Sequence, residues 1–455
     1  MRSDYVKPPV PVPPSFDYAA PSDSAVTTVA ALSQQDWWAV FHDPVLDALE
    51  SQASTANKEI RIAIAHFDES QALVRTATSQ RMPTVSIDAS VFREREAQDR
   101  PNNGETNNQA RTFNDVQIPL LASYEIDAWG RVRRSIEAAH AGQQASADDL
   151  RVVNLSIHAS LAIAYFDLRQ IDEEIRIADL LVVNRRDNVT ISAERLAAGL
   201  SSATDLERAK LQLSQEEQET QAFRLRRSLL AHQIAVYVGV PAQGFRIETI
   251  RMLDHPPGIP ATMPSDLLLR RPDIAAADRR VAAASARIGI AKAAYRPRLS
   301  LVGFTGYEST DVNSLVNWQN SIASLVLSAA APVFTGGRLR AGVEIAQAQY
   351  GAALHTYEQA VLSAYKETED ELAALHWVHG QLHSQNMALA HAQAAYDLAL
   401  NRYQSGLSNY LEVVSAQQQV LTLQAGVTYL VGRQLNDTVA LIRALGGGWE
   451  APLPQ

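Results

Sequence analysis

The feature that most constrains this chain is a repeat kept in strict register. Ala128-Trp129-Gly130-Arg131 is answered by Thr335-Gly336-Gly337-Arg338, and Arg195 to Ser201 (RLAAGLS) by Arg402 to Ser408 (RYQSGLS). The intervals Gly130 to Gly337, Gly199 to Gly406 and Gly239 to Gly446 are all 207 residues (337−130, 406−199, 446−239). Loops tolerate length changes cheaply, so a register held across more than a hundred residues points to continuous elements whose length matters. The 455 residues therefore read as one object built from two like halves.

The repeated stretch is helical. From Asp127 to Ala197 there is no proline and, after Gly130, only Gly142, enough for one helix about 105 Å long. Leu150, Val153, Ile157, Leu161, Ala164, Leu168, Ile171, Ile175, Ala178 and Val182 keep a 3-4 rhythm, while Leu155, Ala162, Phe166, Ile177 and Leu181 form a second stripe. Two stripes imply two helical neighbours. Gly199 ends this helix, Ser201 or Ser202 caps the next, and residues 203–237 return antiparallel. The second half replays this with helices 336–404 and 410–444.

Strands precede each helical hairpin. After Pro83 the apolar period falls to two, with Val85, Ile87, Ala89 and Val91 on one side, and it recurs at Val116, Ile118, Leu120, Ala122 and Tyr124. Leu299 to Tyr307 and Ile322 to Phe334 are the matching pair. The prediction is four strands in two hairpins, about 84–125 and 298–334, each preceded by a helix, Asn57 to Gln80 and Arg271 to Ala294. A shorter helix ends near Ala53. Pro83 and Pro297 differ by 214, so a seven-residue change (214−207) falls in the hairpins. The expected organisation is an extended proline-rich strap at 1–35, a first repeat at 36–239, a connector at 240–264, a second repeat at 265–446 and a tail at 447–455.

Composition narrows the class. A net charge of −10 argues against nucleic-acid binding, and the lack of cysteine excludes disulfides and thiolate metal sites. No run of eighteen apolar residues exists and no signal peptide is evident, which excludes a helical membrane protein but not a β-barrel, whose alternating strands leave only a weak hydropathy trace. No GxSxG, HExxH or phosphate-loop pattern occurs, so no enzyme and no cofactor is expected.

SDLLLRRPDI (Ser265 to Ile274) followed by AAADRRVAAASARIGIAKAAYRPRLSL (Ala275 to Leu301) resembles the signature block of the TolC-like outer membrane efflux proteins, and most closely the OprM branch, the outer membrane factors of tripartite multidrug pumps. The likeness extends to SDYVKPPVPVP, QDWWAVFHDPVLDAL, YEIDAWGRVR, PVFTGGRLRAG, NRYQSGLSNYLEVVSAQQQ and the closing LGGGW. It implies a mixed α and β fold: a long antiparallel α-helical barrel continuous with a transmembrane β-barrel, four strands per protomer making 12 in a homotrimer. It also implies an exit duct in the outer membrane of a Gram-negative bacterium, conducting drugs and other small toxic compounds handed on by an inner-membrane transporter and a periplasmic adaptor protein. Outer membrane lipids would surround the barrel. In this branch the SDYVKPP-like segment usually follows a lipid-bearing cysteine; Met1-Arg2-Ser3 stands there instead, so the resemblance carries no lipid anchor onto this chain. Two rivals remain from the same residues, a TolC-like duct for type I protein secretion and a soluble coiled-coil scaffold.

The resemblance makes the two helical hairpin tips, with Gly199, Leu200, Ser201 and Gly406, Leu407, Ser408, the adaptor contact and the closing end. Asp205 and Glu412 fall where the family places acidic gate residues, and Tyr403 matches a tyrosine that bonds across helices. The plainer reading is that both acids favour a helix N-terminus. Ser415 and Ser408 depart from relatives that carry an acid and a base there. Tyr124, Trp129, Tyr307, Trp318 and Phe334 lie near strand ends, as an interfacial belt requires. His376, His379 and His383 share a helix face at ligand spacing, but an exposed helix without cysteine makes a solvated surface the better account, and no metal site is expected. Lys366 to Glu371 reads as another solvated face.

Overall fold

The computed structural model describes residues 16–18, 36–97, 110, 112–253, 256–257 and 271–447. The strap, the turn at 98–109, the SDLLLR part of the signature block and all but the first residue of the tail lie outside these, apart from 16–18. The chain forms two compact units.

One unit draws on His66–Ser146 and Ala276–Tyr357. Its described residues form an antiparallel sheet with strands β1 (Thr84–Ile87), β2 (Ser90–Arg95), β3 (Thr112–Ile126), β4 (Arg298–Ser309) and β5 (Ser321–Ala330). Both β1 and β2 pair with β3, which pairs with β4, which pairs with β5. β1 and β2 are one interrupted strand, because Ile87↔Leu120 and Ser90↔Gln117 keep the same register (87+120 = 90+117 = 207). The interruption has a local cause. Asp88 N–H still donates to the Pro119 carbonyl at 3.1 Å, but Pro119 has no N–H to return the bond. The sheet thus has the expected four strands. β5 stops at Ala330 rather than Phe334, since Pro332 cannot continue a ladder.

Among the described residues, the other unit draws on those from Phe16 to Ala65, from Ala147 to Ala275 and from Glu358 onward. Among the described residues the α-helices are α1 (Pro44–Ala56), α2 (Lys58–Ser79), α3 (Arg131–Ala197), α4 (Ala203–Tyr237), α5 (Pro272–Ala293), α6 (Arg338–Gln404) and α7 (Tyr410–Ala444). Their lengths repeat: α2 and α5 have 22 residues, α3 and α6 have 67, α4 and α7 have 35. The offset is 214 for α2 to α5 (272−58) and 207 for the other pairs (338−131, 410−203), so the seven-residue change does fall in the hairpins.

The two stripes on α3 find two neighbours. Arg186 to Glu217 and Arg224 to Asp179, both 2.8 Å, tie α3 to antiparallel α4. Asn184 to Gln417 at 3.0 Å and Asn436 to Asp167 at 2.7 Å tie it to antiparallel α7. Leu161, Leu168 and Ile171 of the first stripe and Ala162, Phe166 and Ile177 of the second are buried. Around them Trp37, Trp38, Phe41, Leu46, Ile234, Leu435 and Val439 complete the core. The short helix expected near Ala53 is two pieces, a 3-10 turn at Trp37–Phe41 and α1, split where Asp43 caps α1 by accepting from the Val45 and Leu46 N–H groups.

Each half anchors its helices in the same way. Asn57 caps α2 through its side-chain oxygen and donates from Nδ2 to the Tyr237 carbonyl at the end of α4, 2.8 Å away. Arg271, 214 residues later (271−57), donates from a guanidinium nitrogen to the Ala444 carbonyl at the end of α7, also at 2.8 Å. Gly239 must be glycine, because its φ is +74° and a Cβ would lie 2.4 Å from the Ala56 carbonyl oxygen.

Candidate functional site

The pairing register sorts the sheet into two unlike faces. On one lie Val85, Ile87 and Val91; Val116, Ile118, Leu120, Ala122, Tyr124 and Ile126; Leu299, Leu301, Gly303, Thr305 and Tyr307; and Ala323, Leu325, Leu327 and Ala329. None of these carries a charge; Arg93 and Arg95 share this side only farther along β2, opposite Asn114 and Thr112 and past the level of Tyr307. The other face holds Asp88, Asp115, Gln117, Glu125, Arg298 and Glu308 among serines and apolar residues. Val85, Ile87, Val91, Leu120, Leu325 and Leu327 of the apolar face are exposed in the single chain. An exposed band without charge across four strands, with arginines only past one end, is the outer wall of a membrane barrel, with the mixed face toward its lumen. Tyr124 and Tyr307 sit on the apolar face near its two ends. Trp129, Trp318 and Phe334 are exposed beyond the strand ends, as a belt would have them and a core would not.

The hairpin tips are built alike. At the end of α3, Leu200 N–H donates to the Arg195 carbonyl and Gly199 N–H to the Leu196 carbonyl, at 2.8 and 3.0 Å. At the end of α6, Leu407 bonds Arg402 and Gly406 bonds Tyr403, at 2.8 and 2.9 Å. This 6→1 and 5→2 pair is the Schellman closure, which places glycine at positive φ, here +72° and +70°. The residue after the glycine normally tucks against the helix it closes. Leu200 and Leu407 do not: they are 70% and 72% exposed. Ser201 and Ser408 stand beside them, half-buried.

The expected gate residues occupy first-turn positions. Asp205 closes a capping box with Ser202, whose N–H and hydroxyl donate to Oδ2 at 3.1 and 2.8 Å. That hydroxyl bond, then the backbone one, holds the Asp205 carboxyl below the usual range. Glu412 has its N–H capped by Asn409 and its carboxylate 3.7 Å from Arg402 across the tip. The Tyr403 and Tyr410 rings lie 5.1 Å apart, also across the tip. The structure therefore brings Tyr403 and Glu412 into one tip and Asp205 into the other. The capping reading of Asp205 is satisfied by its geometry.

His376, His379 and His383 are exposed, and the described residues contain no group of three potential metal ligands. Lys366 to Glu371 is less solvated than expected. Glu367 accepts from Arg271 at 2.8 Å, Glu369 from the Asp17 N–H at 3.0 Å, and Thr368 is buried. Sequence reasoning also missed Glu50 and His158, buried and 2.6 Å apart, with the Trp38 ring stacked on the imidazole at 4.5 Å. They are 108 residues apart and no local pattern links them.

Comparison with known proteins agrees with this geometry. The outer membrane efflux protein family matches residues 49–239 and 263–447. The pyoverdine export outer membrane protein OpmQ of Pseudomonas putida is 31% identical over 450 residues, 98% of this chain and 95% of that one. The toluene efflux pump outer membrane protein TtgI of Pseudomonas putida is 29% identical over 452 residues, covering 98% and 94%. The structure of the outer-membrane channel OprN superposes with a TM-score of 0.87 at 27% identity, over 98% of both chains. These likenesses leave no room for a soluble scaffold. The chain belongs to the outer membrane efflux protein family: it is the channel component of an efflux pump, held in the outer membrane of a Gram-negative bacterium with its helices extending into the periplasm.

Proposed function

We propose that three copies of this chain close one 12-stranded barrel (three times four strands), through which small toxic compounds leave the cell. One observation carries this reading: the apolar face belongs to a sheet with two open edges, at β1/β2 and at β5, among the described residues. Unpaired edge N–H and C=O groups are not tolerated in lipid, and four strands are too few to close on themselves. Identical copies pairing β5 of one with β1/β2 of the next satisfy every edge. Each of the two repeats, 36–239 and 265–446, supplies one β-hairpin and one helical tip to this assembly, and 240–264 joins them.

The tips, with exposed Leu200 and Leu407, are the surface for a periplasmic adaptor protein, which couples the channel to an inner-membrane transporter. Transport energy comes from that transporter. The names of relatives speak of pyoverdine, toluene and other solvents, so the cargo class is small molecules of mixed polarity. Asp205, Glu412 and Tyr403 form the closing ring, in which Arg402 holds Glu412. Carboxylates brought together by symmetry repel when ionised, so polar partners keep the ring shut.

The test is single-channel conductance in a planar bilayer. Asp205→Ala with Glu412→Ala raises conductance if the ring is a gate. Unchanged conductance removes the gate assignment. Ser202→Ala separates capping from gating: it takes away the partner of Asp205 while keeping the carboxylate, and it raises conductance less than the double variant.

A further inference from the structure

Beyond the end of the apolar face, where strands give way to helices, a cavity of about 490 Å³ opens. Its strand-side lining sets Ile126, Leu299 and Pro332 beside the Glu125 carboxylate and Arg298, and its other lining includes Asp127, Trp129, Arg296 and Arg338. The tryptophan is fixed: its indole N–H donates to the Pro297 carbonyl at 2.7 Å, and its ring stays 50% exposed. Arg296 lies over that ring, 5.7 Å from its centre.

Charge is distributed unevenly here. Residues 291–307 contain Lys292, Arg296 and Arg298 and no acid; residues 321–343 contain Arg338 and Arg340 and no acid, in a chain of net charge −10. Most nearby arginines have carboxylate partners. Arg131 binds Glu125 at 2.7 Å, Arg298 approaches the same Glu125 at 3.5 Å, Arg133 binds Asp127 at 3.1 Å and Arg340 binds Glu344 at 2.8 Å. Among the described residues Arg296 and Arg338 have none, and both line the cavity. Just past Pro332, Val333 and Phe334 are 99% and 91% exposed.

From this juxtaposition we infer that the cavity binds the headgroup of an anionic phospholipid of the periplasmic leaflet. Arg296 and Arg338 take the phosphate, the Trp129 face and the apolar strand end take the glycerol and first acyl carbons, and Val333 and Phe334 enter the bilayer beside it. The carboxylates in the lining, Glu125 and Asp127, are already held by Arg131 and Arg133, which leaves two cations without counter-ions beside Ile126, Leu299 and Pro332, a fit for a ligand that is anionic at one end and hydrocarbon at the other. A free phosphate would use only the arginines and leave the apolar half uncovered.

The experiment is native mass spectrometry of the detergent-extracted oligomer, given phosphatidylglycerol or phosphatidylcholine with the same acyl chains. The wild type retains phosphatidylglycerol in preference, by roughly 30-fold if each arginine contributes as a surface cation does. Arg296→Gln with Arg338→Gln removes the preference while the oligomer mass is unchanged. Equal retention of the two lipids by the wild type overturns the inference, and this comparison needs no variant. A preference that survives the double substitution also overturns it. So does retention of neither lipid together with a crosslink from position 338 to a neighbouring copy, which would mean that protein fills the cavity. Failure of the assembly itself is read separately, from the mass of the lipid-free oligomer.

Discussion

Pro119 of β3 lies directly opposite Gly306 of β4, and a Cβ on Gly306 would stand 2.3 Å from the Ile118 carbonyl oxygen. A proline inside a central strand is uncommon, and here the glycine across from it accommodates the displaced backbone. Gly306→Ala is expected to force β3 and β4 apart at a cost of about 1–3 kcal/mol. Gly303→Ala is the control, since its nearest neighbour is the flexible tip of Leu325 at 3.3 Å. Denaturant midpoints in micelles fall clearly for the first and little for the second.

Leu325 and Ser324 are consecutive in β5 but face opposite ways. Leu325 pairs with Gly303 on the apolar face, Ser324 with Phe304 on the mixed face. Leu325→Arg is expected to cost about 2–4 kcal/mol if it lies near the bilayer midplane, whereas Ser324→Arg projects into the lumen and is tolerated. The yield of folded protein in the outer membrane fraction checks this. Equal yields contradict the assignment of the faces.

Glu50 and His158 give a pH dependence. Burial, reinforced by Asp47, pushes the Glu50 carboxyl up to about 9, and burial, opposed by Asp36, pushes His158 down to about 4. At neutral pH the protonated carboxyl donates to Nδ1 of a neutral ring, and Nε2–H faces the Ser54 hydroxyl at 3.4 Å. The raised carboxyl stabilises the fold fully below the ordinary carboxylate range and loses this contribution as pH rises toward 9. The depressed imidazole contributes stability above its ordinary value of 6.5 and loses it as pH falls toward 4. The two slopes oppose each other in mildly acid solution, so only Glu50 acts between about pH 7 and 9. Stability is expected to fall there by at most about 1.4 kcal/mol per pH unit, and Glu50→Gln to flatten that slope. Helical circular dichroism melts at pH 7, 8 and 9 measure it.

Much of this fold is legible in the sequence because its elements are long and locally periodic. Helices expected at 203–237 and 410–444 fall at Ala203–Tyr237 and Tyr410–Ala444, bounded by serine, asparagine and glycine signals. The apolar face of the barrel could be read from alternation alone. The break at Asp88 could not, because its cause is a proline on the neighbouring strand. Glu50, His158 and the Arg271–Glu367 pair are juxtaposed only by packing between distant segments, and their charges look like surface charges in the sequence. At the tips, chemistry and capping demand the same residues: Asp205 satisfies a helix N-terminus whether or not it also closes a channel.

The most direct test of the central claim, a barrel shared by identical copies, is the native mass of the purified chain extracted from outer membranes in mild detergent. Three chains of 49.7 kDa give about 149 kDa (3 × 49.7) after subtraction of bound detergent, with loss of solubility when detergent is removed. A monomer of 49.7 kDa, or a soluble species without detergent, would contradict the shared barrel.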